Sequence, residues 1–274
     1  MLSARRKSKR GVYVLAALAA LTVAAAFADG ERRGALGRTA LHLKRLAFDR
    51  VPCPPQTDRT LVALTFGQSN AGNHAELRHR GKPNVLNFFG GRCFAAQEPL
   101  LGADGAGGGV WVLTGSLLSG RFDYVVLAPA ALGGSRVAQW NGELAPRLEA
   151  RLSALRAAGY RVTHFLWHQG EADAGITPPD DYARALQQLI ARARRDFPAA
   201  GFWVAQASRC GSRADPRLRQ AQARVVDRSA RIFSGPDTDA IPREERFDGC
   251  HFGARGQERA ALLWAQAILK SEGQ

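Results

Sequence analysis

The sequence predicts an α/β protein, a three-layer α/β/α sandwich around a five-stranded parallel sheet. Three observations predict it. Short apolar runs alternate with amphipathic stretches of helical length from about residue 60 to residue 270, the pattern of a parallel sheet covered on both faces. The first run, Leu61–Phe66, is almost continuously apolar, as in a strand buried on both sides. That run closes on Gly67-Gln68-Ser69-Asn70, so a sharp turn at the carboxyl end of a central strand presents a hydroxyl where open α/β sheets hold their ligands.

Taken in order, the strands are Leu61–Phe66, Val85–Phe89, Tyr124–Ala128, Val162–Trp167 and Phe202–Ala207. The helices are Val110–Leu118, Gly142–Ala157, Asp181–Asp196, Pro216–Ser229 and Arg255–Leu269. Asn141 is placed to cap the second helix, which stops before Gly159. Asp215-Pro216 combines a cap with proline in the first turn, and Pro198 closes the third helix. Gly102–Gly109 reads as a flexible loop. No Lys-Ser/Thr follows it, so it is not a phosphate-binding loop.

Upstream of the sheet the chain changes character. Arg5, Arg6, Lys7, Lys9 and Arg10 precede Val12–Phe27, a charge-free run rich in Ala, Leu and Val, and Ala26-Phe27-Ala28 offers a small-x-small cleavage pattern. Residues 1–28 therefore read as a secretory signal peptide or an uncleaved signal anchor, and the remainder as exported to the periplasm or beyond. Residues 29–59 read as a linker region, and 60–274 as the folded domain. The formal charge is +14; without the five leading positives, 33 basic residues still face 24 acidic ones. Such a surface favours anionic partners. The arginines are scattered and no aromatic-interleaved basic motif is present, which argues against nucleic acid. Four cysteines, Cys53, Cys93, Cys210 and Cys250, suit an oxidising compartment. None forms C-x-x-C, so a zinc or redox role is disfavoured. Of the three possible pairings, Cys53–Cys93 with Cys210–Cys250 is preferred, because each would pin a loop near the carboxyl edge of the sheet.

Three segments carry groups suited to chemistry: Gly67–Asn70, Trp167–Asp173 and Asp248–Phe252. A serine hydroxyl attacks only once a base takes its proton. Imidazole does this near neutral pH, and a carboxylate fixes its tautomer. Asp248 and His251, three apart on one loop, supply that pair, and Ser69 supplies the hydroxyl. His42, His74, His79, His164 and His168 read as surface or supporting groups. The chemistry asks for no metal and no cofactor.

The segments together resemble the SGNH (GDSL-like) hydrolases, and within them the sialate O-acetylesterase-like carbohydrate esterases. That branch carries G-Q-S-N, G-G-[ST], W-x-Q-G-E and D-x-x-H in this order. Here they stand as Gly67–Asn70, Gly133-Gly134-Ser135, Trp167–Glu171 and Asp248–His251. The spacing from Gly133 to Trp140 is similar to that branch as well. The resemblance spans residues 60–270 and implies a flavodoxin-like strand order. It implies Ser69 as nucleophile, His251 as general base and acid, and Asp248 as its orienting carboxylate. Oxyanion donors would be the Ser69 N–H, the N–H of Gly134 or its neighbour Gly133, and the side-chain amide of Gln169. Gln68, Asn70 and Glu171 would support the serine loop. Ala71 and Ala172-Asp173 replace residues usual in the branch, which bears on the substrate more than on the triad. The expectation is an exported esterase that removes acyl groups, acetyl above all, from a saccharide or an anionic polysaccharide. A saccharide O-acyltransferase with the same triad and a non-catalytic glycan-binding protein are the alternatives.

Overall fold

The computed structural model describes residues 48–272; the expected leader and most of the expected linker lie outside them. Residues 49–274 form one compact unit. Its strands are β1 (Arg50–Val51), β2 (Thr60–Gly67), β3 (Val85–Phe89), β4 (Arg92–Ala95), β5 (Tyr124–Pro129), β6 (His164–His168), β7 (Gly201–Gln206) and β8 (Ile232–Asp237). Its α-helices are α1 (Trp111–Leu118), α2 (Val137–Asn141), α3 (Ala145–Ala157), α4 (Pro179–Arg194), α5 (Pro216–Arg224) and α6 (Ala254–Glu272).

All eight strands join one sheet in the order β1-β4-β3-β5-β2-β6-β7-β8. The α/β class holds, with two corrections. Six strands are parallel rather than five, because β8 pairs with β7, and β4 and β1 add an antiparallel edge. The parallel strands, counted along the chain, lie second, third, first, fourth, fifth, sixth. This is not the flavodoxin-like order, since β5 inserts between β3 and β2. β2 thus sits between β5 and β6; the chain runs from β2 to β3 on one side and from β6 to β7 on the other, so the neighbouring strands β2 and β6 lead away in opposite directions, the arrangement that opens a crevice at the carboxyl edge.

Alternation along β2 separates two cores. Val62, Leu64 and Phe66 point to one face, with Trp140, Trp167, Tyr182 and Leu186. Leu61 and Ala63 point to the other, with Trp111, Trp203 and Trp264. Phe66 meets Trp140 and Trp167 edge-on at 5.6 and 4.9 Å. These fully buried aromatics pack large apolar surfaces beneath the strand end that carries Ser69. Helices α2 to α5 cover the first face and α1 with α6 the second.

At the end of the stretch 29–59, read from sequence as linker, Arg50–Val51 join the sheet as β1, paired with β4, and Cys53 bonds Cys93. Cys210 bonds Cys250, so both preferred pairings are present. Asn141 does not cap α3. It ends α2, and its Nδ2 donates to the Ala185 carbonyl at 2.8 Å. Asp215 does cap α5, accepting from the Arg217 and Leu218 N–H groups. The Gly102–Gly109 loop is tied down by backbone hydrogen bonds to Asn73 and Ala75. Among the described residues no helix is long and apolar enough to cross a membrane.

Candidate active site

The site begins where β2 ends. Gly67 has φ +130, and a Cβ there would lie 2.0 Å from the His168 carbonyl oxygen. Only glycine lets β2 and β6 approach so closely. The chain then enters a 3-10 turn, Ser69–Ala71, with Gln68 at its N-cap position. The Ser69 N–H is accordingly one of the donors that a helical first turn leaves unpaired. Ser69 itself is buried.

The second segment follows β5. The Leu132 N–H donates to the Gly67 carbonyl at 3.0 Å, and the Ser135 hydroxyl donates to the same oxygen at 3.3 Å. Trp140 Nε1 holds that hydroxyl at 3.0 Å, which accounts for the spacing between the two residues. The two glycines differ in their partners. The Gly133 N–H is taken by Asp104 Oδ2 at 2.8 Å. Gly134 is exposed, has φ +68, and its N–H has no partner among the described residues.

The third segment precedes α6. Asp248 Oδ2 lies 2.6 Å from His251 Nδ1, and Asp248 Oδ1 accepts from the Cys250 and His251 N–H groups at 2.9 and 2.7 Å. Burial pushes the Asp248 carboxyl up, but those hydrogen bonds outweigh it and hold it below the usual carboxylate range. The carboxylate is therefore charged at neutral pH and fixes the ring, leaving Nε2 as the remaining edge nitrogen.

These segments meet. Asn70 Nδ2 donates to Glu171 Oε1 at 2.8 Å and to the Cys250 carbonyl at 3.3 Å, joining the residue after Ser69 to the residue before His251. Arg246 donates to the same Cys250 carbonyl at 2.7 Å, donates to the Thr238 carbonyl at 2.7 Å, and stacks on Phe252. Glu171 is fully buried and its carboxyl is pushed up, first by burial. Nearby, burial and the Arg246 charge drive His168 down to about 3, so its ring is neutral.

Gln169 departs from expectation. It is fully buried, and its amide nitrogen already faces Gln68 Oε1 (3.2 Å), the Ser135 carbonyl (3.1 Å) and Asp173 Oδ2 (2.5 Å). Two N–H bonds shared among three acceptors leave none for an oxyanion. Its side-chain oxygen accepts from the Tyr182 hydroxyl at 3.0 Å. Gln68 Oε1 also accepts from the Ala172 N–H at 2.9 Å. Gln68 and Gln169 thus brace the serine turn, the Gly133–Ser135 loop and the β6 turn against one another.

Asp104 and Arg246 did not stand out in the sequence, and His74 read only as a surface or supporting group. Arg246 carried a signal, standing two residues before Asp248. His74 and Asp104 offered little: one histidine five residues past the serine, and one carboxylate inside a glycine run.

Residues 60–270 match the family described as carbohydrate esterase, sialic acid-specific acetylesterase. The chain belongs to this carbohydrate esterase family. Carbohydrate esterases of this family are carboxylic ester hydrolases that act on acetylated saccharides. No curated protein is similar enough in sequence to count as a relative. Solved structures share the fold. A protein of Arabidopsis thaliana aligns at TM-score 0.66 and 20% identity, over 79% of this chain and 99% of its own. NanS aligns at 0.53 and 12%, over 79% and 98%. A carbohydrate acetylesterase from Xanthomonas citri aligns at 0.51 and 17%, over 78% and 56%.

Proposed function

We propose that this carbohydrate esterase is an exported serine esterase that removes acetyl groups from a saccharide through an acyl-enzyme on Ser69. The observation that carries the reading is the 2.6 Å Asp248–His251 contact on a loop tied to the serine turn through Asn70. In this reading Asp248 holds His251 with Nε2 as the basic nitrogen, and His251 takes the Ser69 proton as the hydroxyl oxygen attacks the ester carbonyl. The tetrahedral oxygen gathers negative charge, and the Ser69 and Gly134 N–H groups are the donors available to it. Fixed donors stabilise that charge without reorganising, and losing one typically costs about 3 kcal/mol of barrier. The imidazolium returns its proton to the departing sugar oxygen, leaving an acetyl ester on Ser69. Water, deprotonated by the same ring, then releases acetate and restores the serine.

Export is supported by the leader pattern and by two disulfides, which suit an oxidising compartment. The test is acetate release from acetylated saccharides and from a chromogenic acetyl ester. Ser69→Ala is expected to abolish both, and mass spectrometry during turnover is expected to find acetyl on Ser69. Full activity in Ser69→Ala would exclude this nucleophile.

A further inference from the structure

A second imidazole and carboxylate lie beside the first pair. His74 Nε2 is 3.2 Å from Asp104 Oδ1. The His74 ring stacks on the His251 ring, centroids 5.6 Å apart with 24° between planes. Asp104 reaches the other way with Oδ2, which accepts the Gly133 N–H at 2.8 Å. Its own N–H donates to the Ala131 carbonyl, and its carbonyl accepts from the Asn73 N–H. We propose that His74 and Asp104 are positioning residues, a rigid link that sets the His251 ring and the Gly133–Gly134 loop at a fixed distance. The inference rests on the esterase reading, in which His251 is the base and Gly134 an oxyanion donor.

The recess around the pair is shaped to it. A Cβ at Gly72 would come within 3.0 Å of Asp104 and 3.1 Å of His74, and one at Gly133 would meet both, at 3.0 and 3.1 Å. Yet the side chains of His74 and Asp104 are 28% and 30% exposed. A contact between two part-buried side chains adds little stability, so stability alone does not account for Gly72 and Gly133 being arranged about it. Position does. The pair spans the two groups whose separation the reaction depends on, and a 1 Å misplacement of such groups can cost about a hundredfold in rate. Burial pushes the Asp104 carboxyl up, but the His74 contact, the Gly133 N–H and the Arg147 charge bring it below the ordinary range. Asp104 is thus an anion holding both partners.

The experiment compares wild type, His74→Ala, Asp104→Ala, Asp104→Asn and the double alanine variant. Two readouts are taken: kcat and KM on a chromogenic acetyl ester, and the His251 ring signal in 13C-histidine-labelled protein. Each alanine variant is expected to lose about tenfold or more in kcat with KM changed by less than about twofold. The double variant should be no worse than the poorer single one, since parts of one unit are not additive. Asp104→Asn keeps an oxygen for the Gly133 N–H and should recover part of the loss; with His74→Ala it carries the comparison should Asp104→Ala not fold. The His251 signal should move in every variant. Unchanged kcat and an unmoved signal in His74→Ala, with Ser69→Ala inactive, would overturn the link and leave the esterase reading standing. If wild type turns over no ester, that reading fails, and the His251 signal in Asp104→Asn, which keeps the His74 ring, alone decides: a shift retains the link, an unmoved signal ends it.

Discussion

A single missing methyl, at Gly67, lets β2 and β6 close up at the edge that carries Ser69. Alanine there would have to displace the His168 carbonyl and adopt φ +130. Gly67→Ala is expected to cost about 3 kcal/mol or more of stability, read from a urea midpoint. Glu98 shows a different kind of constraint. It is buried, accepts the His79 N–H at 2.9 Å, and burial pushes its carboxyl up from 4.5 to about 8. The folded protein therefore holds a proton that the unfolded chain releases, and stability falls as pH rises from about 4.5 to about 8. Glu98→Gln mimics the protonated carboxyl and should flatten that slope. Chemical denaturation across the window checks it, and an unchanged slope would assign the effect elsewhere.

At the level of elements, the two disulfides make a controlled comparison. Each joins cysteines 40 residues apart, so a loop-closure account gives both a similar stabilisation of about 4 kcal/mol. They differ in what they hold. Cys53–Cys93 fastens the chain before β2 to β4, the strand next to the edge strand β1. Cys210–Cys250 anchors a residue whose N–H binds Asp248 and whose carbonyl accepts from Asn70 and Arg246. Replacing Cys210 and Cys250 with serine should lower kcat by about tenfold beyond any loss of stability. The Cys53 and Cys93 serine pair should lower the melting temperature with kcat nearly intact. Equal activity losses from the two pairs would remove the special role of the second.

Across the whole molecule, 38 basic residues against 24 acidic ones give a field that attracts anions. If the saccharide is itself acidic, its KM should rise with ionic strength, because added salt shortens the Debye length to about 8 Å at 0.15 M. A small neutral acetyl ester serves as the control and should be indifferent. A polysaccharide whose hydrolysis ignores salt would leave the basic surface without a part in substrate capture.

Much of this was legible in the sequence alone. The alternation of apolar runs and amphipathic stretches determined the sandwich and five of its parallel strands, because burial on a sheet face or a helix stripe leaves a period in the chain. The turn at Gly67 and the cap at Asp215 were legible for local reasons, and the cysteine pairing from where the predicted sheet puts its loops. β8 was not: Ile232–Asp237 contains Gly235 and Pro236, residues that an edge strand tolerates and that erase the apolar run. The hairpin of β3 and β4 rests on Gly90-Gly91, both at positive φ, a turn signal without a long strand to announce it. Strand order, the commitment of the Gln169 amide, the different partners of the Gly133 and Gly134 N–H groups and the stacking of His74 on His251 were decided only by the tertiary structure. Each depends on which groups from segments apart in the chain compete for one hydrogen or one face, and a periodicity records that a residue is buried without recording against what.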